Sequence, residues 1–69
     1  MKINREIFEK IEVMGSYIDF ILNRKHIVTI WDDGDFIFSG SPGAYIIRKT
    51  QFNEILMARE ALMKGEEIE

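Results

Sequence analysis

Three carboxylates stand within four residues of this chain, at Asp32, Asp33 and Asp35. Oxygen ligands of this type can hold a hard cation such as Ca²⁺. The spacing lacks the glutamate that closes an EF-hand calcium loop, and aspartate is itself a favoured turn residue. We therefore expect a solvated acidic turn that holds no metal ion and no cofactor.

The chain offers little equipment for catalysis. His26 is the only histidine, and Ser16, Ser39 and Ser41 have no recognisable base partner, so a Ser–His nucleophile lacks support. The Gly-Ser-Pro-Gly segment 40–43 has the glycines of a phosphate loop, but no Lys-Ser/Thr follows it and its proline removes an amide. Cysteine is absent, which excludes disulfides and thiolate metal sites. We expect a protein that is not an enzyme.

The composition is that of one small folded domain over residues 1–69, with a frayed acidic tail over 65–69. A chain this short buries only ~60% of its unfolded surface, so its stability is expected to be marginal without a partner. The net charge of −3 argues against a general nucleic-acid binder, because that affinity depends on neutralising phosphates. No apolar run approaches the ~20 residues that span a bilayer, and the charged N-terminal residues do not resemble a signal peptide. We expect a cytoplasmic protein.

The first third of the chain has helical periodicity. Asn4 is a suitable N-cap, with Glu6 in the first turn. Apolar side chains then recur on one helical face: Ile7, Ile11, Met14, Ile18, Ile21 and Leu22. Gly15-Ser16 interrupts this pattern and residues 17–22 are rich in strand formers, so a short helix followed by a strand stays open as an alternative. The periodicity favours one long helix to about Arg24.

Two apolar runs flank Asp33-Gly34, the strongest short-range signal for a two-residue β-hairpin turn. With Asp32 and Asp35 closing that turn, Ile30 is expected to oppose Ile37 and Trp31 to oppose Phe36. The strands then present Val28, Ile30 and Ile37 on one face, and Ile27, Thr29, Trp31, Phe36 and Phe38 on the other. A slip of one residue would exchange these sets.

The rest of the chain predicts a turn over 40–43, a short third strand from Ala44 to Ile47 and a C-terminal helix. Thr50 is the expected N-cap of a helix from Gln51 to Lys64, and Gly65 is well placed just beyond its end. The expected fold is α+β. It has an N-terminal helix, a small antiparallel β-meander around the Asp33-Gly34 hairpin, and a C-terminal helix.

Two helices cover one face of a small sheet more easily than both, so one apolar face is expected to stay open as an interaction surface. Either the aliphatic face with Val28, Ile30 and Ile37 or the aromatic face could be the one left open. Trp31, Phe36 and Phe38 are the candidate interaction residues, because aromatic residues are enriched at the centres of interfaces. Asp33 adds an acidic contact point. Arg59 lies within the apolar stripe of the last helix. It either extends its guanidinium into water, pairs with a carboxylate or anchors an interface.

These features predict a non-catalytic protein-interaction module. It is expected to form a homodimer or to dock on a larger protein as an inhibitor or regulator, the latter by analogy with small phage proteins. The alternative is a nucleic-acid-associated regulator that uses the same aromatic residues with Lys25 and Arg48.

Overall fold

The computed structural model describes residues 1–40 and 46–69. Within these ranges the chain forms a 3₁₀ turn (Arg5–Ile7), the strands β1 (Lys10–Val13), β2 (Tyr17–Asn23), β3 (His26–Trp31) and β4 (Phe36–Gly40), and the helix α1 (Lys49–Met63). The strands form an antiparallel sheet in the order β1-β2-β3-β4. The predicted α+β class, the meander and the C-terminal helix are confirmed.

The predicted N-terminal helix is wrong. Asn4 begins only a single 3₁₀ turn, in which its side-chain oxygen accepts the N–H of Glu6 at 3.3 Å. The residues that follow form β1 and β2, and burial in β2 alternates strictly along the chain. Ile18 and Leu22 are spaced for a strand face as well as for a helix face, so pairing with β1 and β3 decides between the two periods.

The turn between β3 and β4 contains three residues, where the sequence predicts two. The Gly34 N–H donates to the Trp31 carbonyl at 3.0 Å, and the Trp31 N–H donates to the Asp35 carbonyl at 3.0 Å. Gly34 has φ 97°, and no described non-glycine residue has a positive φ. Asp33 therefore lacks the conformation that a two-residue type I′ turn requires, and Gly34 alone supplies the left-handed residue of a three-residue loop.

The extra turn residue shifts the pairing of β4 by one position. Ile30 pairs with Phe36 and Thr29 pairs with Ile37, so the predicted register is wrong. Directly opposed residues share a face, which places Phe36 with the buried residues of β3 and Ile37 on the opposite side. The predicted face that joined Trp31 to Phe36 and Phe38 is therefore not formed.

The core lies between α1 and one face of the sheet. The side chains that meet there are almost entirely buried: Ile18, Phe20, Leu22, Val28, Ile30, Ile55, Ala58 and Ala61. The small side chains of Ala58 and Ala61 allow the helix backbone to approach the sheet closely. Phe8, from the N-terminal segment, packs its ring 5.0 Å from that of Phe20 and closes one side of the core.

The helix α1 begins two residues before the predicted start. Its N-cap is Arg48, not Thr50, and the Gln51 side chain accepts the Arg48 N–H at 3.1 Å. Gln51 also donates to the Ile7 carbonyl at 2.8 Å, which ties the helix to the N-terminal turn. Gly65, with φ 74°, ends the helix where the sequence predicts.

The sequence predicts a third strand from Ala44 to Ile47, but Ile46 and Ile47 are not in a strand. The first two residues of that prediction lie outside the described ranges, as do residues 41–43 of the predicted turn. The acidic tail, expected to fray, lies along the first residues of the chain. The Glu69 N–H donates to the Met1 carbonyl at 2.8 Å, and the Ile3 N–H donates to the Glu69 carbonyl at 3.1 Å.

Candidate interaction surface

The face of the sheet turned away from α1 is covered by no described element, and we call it the open face. Its strands carry five large apolar side chains: Tyr17, Ile21, Ile27, Trp31 and Ile37. Antiparallel sheets that face water on one side usually alternate apolar residues inside with polar residues outside. The open face departs from that pattern, because most of its large side chains are apolar.

Apolar residues on the open face lie in cross-strand pairs. Tyr17 opposes Trp31, with ring centroids 4.7 Å apart and planes tilted by 36°. Ile21 opposes Ile27 further along the same two strands. These four side chains are partly shielded by one another, whereas Ile37 on the edge strand is 48% exposed. The pairing packs the Trp31 ring against that of Tyr17 and leaves it only partly buried.

Between the two apolar pairs lies a polar row. The Thr29 hydroxyl donates to the Asp19 carboxylate at 2.6 Å, and Glu12 on β1 directly opposes Asp19 on its other side. Lys10 forms an exposed ion pair with Glu12 at 3.6 Å. The centre of the open face therefore carries two neighbouring carboxylates and one weakly held cation.

The two ends of the sheet differ in charge. The turn beside Trp31 carries the exposed Asp32, Asp33 and Asp35, and the Asp33 carboxylate accepts the Asp35 N–H at 2.9 Å. At the other end of β3, the turn that follows β2 carries the exposed Arg24 and Lys25. The Trp31 end of the open face is thus the acidic end.

The structure divides the surface predicted from the sequence. Trp31 lies on the open face, and Asp33 lies in the turn next to it. Phe36 and Phe38 lie on the opposite side of β4, at the rim of the core, where they are 39% and 45% exposed. The Phe36 ring meets the ring of Phe52 from α1 edge-on, with centroids 6.5 Å apart.

Arg59 links the helix to the β3–β4 turn. Its Nε donates to the Gly34 carbonyl at 2.6 Å, and its side chain is half-buried. The predicted alternatives for Arg59 do not include this partner. The acceptor is a backbone carbonyl, which every residue has, so the sequence gives no signal for it. By holding Gly34 against α1, Arg59 fixes the turn from which Trp31 projects.

Sequence reasoning missed the contribution of β2 to the open face. Tyr17, Asp19 and Ile21 were assigned to a helix, so their pairing with β3 was not anticipated. A signal was present, because the alternative strand interpretation of residues 17–22 places these three side chains opposite Ile18 and Phe20.

The described residues hold no group of three or more His, Asp or Glu side chains placed to bind a metal ion. Within the same ranges, no helix is long and apolar enough to cross a membrane. The fold and surface define a four-stranded antiparallel meander with one helix on one face and an apolar open face. No family model, curated protein or solved structure matches the chain. Function is therefore inferred from the geometry of the chain itself.

Proposed function

We propose that the protein is a non-catalytic interaction module that docks on a larger protein through its open face. The observation that carries this proposal is the set of five large apolar side chains that no described element covers. Burial of apolar surface contributes about 25 cal/mol per Å². A partner that covers this face therefore gains a favourable free energy of binding from apolar surface that stays in water when the chain folds alone. Docking of this kind would regulate or inhibit the protein that is bound.

Trp31 is the proposed anchor of the interface. Tryptophan is enriched among the few residues that dominate binding energy at interfaces. The ring of Tyr17 lies against that of Trp31 and limits its movement. A side chain that is already held in place loses less conformational entropy on binding, which favours affinity.

A symmetric homodimer through the open face has less support. A two-fold axis parallel to the strands sets the acidic turn of each copy against the same turn of the other. An axis across the strands through the centre of the face sets the two Asp19 carboxylates against each other. Either arrangement brings like charges together in a contact that excludes water, which is costly. A partner of different sequence avoids both conflicts.

A nucleic-acid-binding role also has less support. Arg48 lies near Leu22 at the end of the sheet where Lys25 is found, whereas Trp31 lies at the other end of β3. Asp32 and the two other carboxylates of its turn stand beside Trp31 and repel phosphate. The aromatic and basic groups that this role requires are therefore separated.

The proposal is tested by site-specific photo-crosslinking in the native cell. A crosslinker at position 37 of the open face is compared with one at Met57, an α1 residue that is 58% exposed. We expect a protein to be captured from position 37 and not from position 57. After purification, that protein should bind the Trp31→Ala variant about tenfold or more weakly than wild type, and the Met57→Ala variant as wild type.

Two results would contradict this function. One is capture at position 57 with unchanged affinity of the Trp31→Ala variant. The other is a wild-type mass in solution of two copies that the Trp31→Ala variant reduces to one, because the open face would then bind a second copy. Binding of an oligonucleotide at low salt that Trp31→Ala abolishes would instead favour the nucleic-acid alternative.

A further inference from the structure

We infer that the partner presents an arginine or lysine side chain to Asp19 and Glu12 at the centre of the open face. The inference rests on the proposed function, because it names the chemistry that the interface accepts. It is carried by the position of the Asp19 carboxylate between two apolar pairs, with the Glu12 carboxylate directly across from it on β1.

Asp19 lies between the Tyr17–Trp31 pair and the Ile21–Ile27 pair, so a partner that covers both pairs also covers Asp19. Its carboxylate accepts one hydrogen bond from the neutral Thr29 hydroxyl. An ionised carboxylate has room for about four hydrogen bonds. Removing its remaining water without supplying a charged donor is strongly unfavourable.

Glu12 makes this requirement stronger. It occupies the position directly across from Asp19 on β1, and like charges in that relation destabilise a sheet. Lys10 pairs with Glu12, but both side chains are largely exposed, so this ion pair offsets little of the repulsion. A cation delivered between the two carboxylates relieves the repulsion and also supplies the missing donors.

The aromatic pair favours the same class of ligand. Trp31 and Tyr17 form the cross-strand pair two positions along β2 and β3 from Asp19 and Thr29, and tryptophan attracts cations placed over its ring. A guanidinium can stack on such a ring and donate two parallel hydrogen bonds to a carboxylate. The acidic turn at the Trp31 end adds a longer-range attraction for a basic segment.

The test uses two peptide probes that differ only in charge. Each is a short peptide of alternating isoleucine and glycine with one central residue, either arginine or its neutral analogue citrulline. Trp31 is the only tryptophan of the chain, so its fluorescence reports binding at the open face. We expect the arginine peptide to bind wild type about tenfold or more tightly than the citrulline peptide.

Two variants test whether Asp19 causes the difference in affinity between the two peptides. Asp19→Asn keeps an acceptor for Thr29 and removes the charge, and it should bring the two peptides to similar affinity. Glu66→Gln removes one charge from the exposed tail beyond α1 and should leave the difference unchanged. Since Asp19→Asn also relieves the repulsion with Glu12, its free energy of unfolding should equal or exceed that of wild type, which a purely structural role for Asp19 does not predict.

Equal affinities of the two peptides for wild type overturn the inference. It is also overturned if Asp19→Asn and Glu66→Gln reduce the affinity difference between the peptides by the same amount. No response of Trp31 to the arginine peptide up to about 1 mM also overturns it. The proposed function fails separately. If the captured partner is lost with Trp31→Ala but retained by Asp19→Asn, the interface stands and only its charge requirement is wrong.

Discussion

Ile30 and Ile37 form a matched pair that tests the register of β3 and β4. Ile30 is fully buried beneath α1, whereas Ile37 is 48% exposed on the open face. In the register predicted from the sequence, these residues oppose each other on one face and have similar surroundings. In the structure, Ile30 opposes Phe36 and Ile37 opposes Thr29. The same substitution at both sites should therefore have different costs.

The expected costs follow from burial. Ile30→Ala removes atoms that are wholly out of water and leaves a cavity, so it should lower the free energy of unfolding by about 2–5 kcal/mol. About half of the Ile37 side chain is already in water and its loss leaves no enclosed cavity, so Ile37→Ala should cost about 1 kcal/mol or less. The difference is large beside the roughly 3–10 kcal/mol expected for a chain of this size.

Urea unfolding followed by far-UV circular dichroism measures both costs. If Ile30→Ala does not fold, Ile30→Val and Ile37→Val provide the same contrast, at about 0.5–1.5 kcal/mol against nearly zero. Equal costs at the two positions, or a larger cost at Ile37, would refute the three-residue turn and the assignment of the open face. A partner that binds the open face would not alter this comparison, because the measurement uses the purified protein.

Two further substitutions test how the turn is held. Arg59→Met removes the hydrogen bond to the Gly34 carbonyl. It should lower the free energy of unfolding by about 1 kcal/mol, because the donor is charged but half-exposed. A gain in stability would show that this hydrogen bond does not stabilise the fold. Gly34→Ala places a Cβ at positive φ, 3.0 Å from an Arg59 nitrogen and 3.2 Å from the Met63 methyl, and should cost about 1–2 kcal/mol in the same urea assay. Ala at Gly15, where a Cβ meets nothing within 4 Å, is its control.

The elements that could be predicted have local signals. Asp33-Gly34 marks a chain reversal whatever the register, and Gly65 ends α1 because it supplies a left-handed residue. Whether residues 17–23 form a helix or a strand depends instead on pairing with β1 and β3. The sequence of residues 17–23 alone carries no information about those partners. Since Ile18 and Leu22 fit both a helical and a strand period, the longer periodicity was misleading there.

The set of side chains on each face of β4 depends on whether the β3–β4 turn contains two residues or three. An Asp-Gly pair fits either a two-residue turn with two left-handed residues or the end of a three-residue loop with one. Both choices satisfy the composition, but they place Phe36 on opposite faces of β4. The sequence therefore indicated two apolar faces without deciding which one would stay open, and of the three candidate aromatic residues only Trp31 lies on the open face.

The single α-helix of the described residues explains why one face of the sheet is left uncovered. Strands β2 and β3 carry large apolar side chains on both sides, although Asp19 and Thr29 interrupt them on the open face. Of the described elements, only α1 packs against the sheet, and it covers one face. The residues of the predicted N-terminal helix form β1 and β2 instead, which enlarges the sheet and removes one of the two helices expected to cover it. Folding thus accounts for the burial of Ile18 and Ile30, whereas the apolar side chains on the other face of the sheet are covered by no described element, which is why the proposed docking site is placed there.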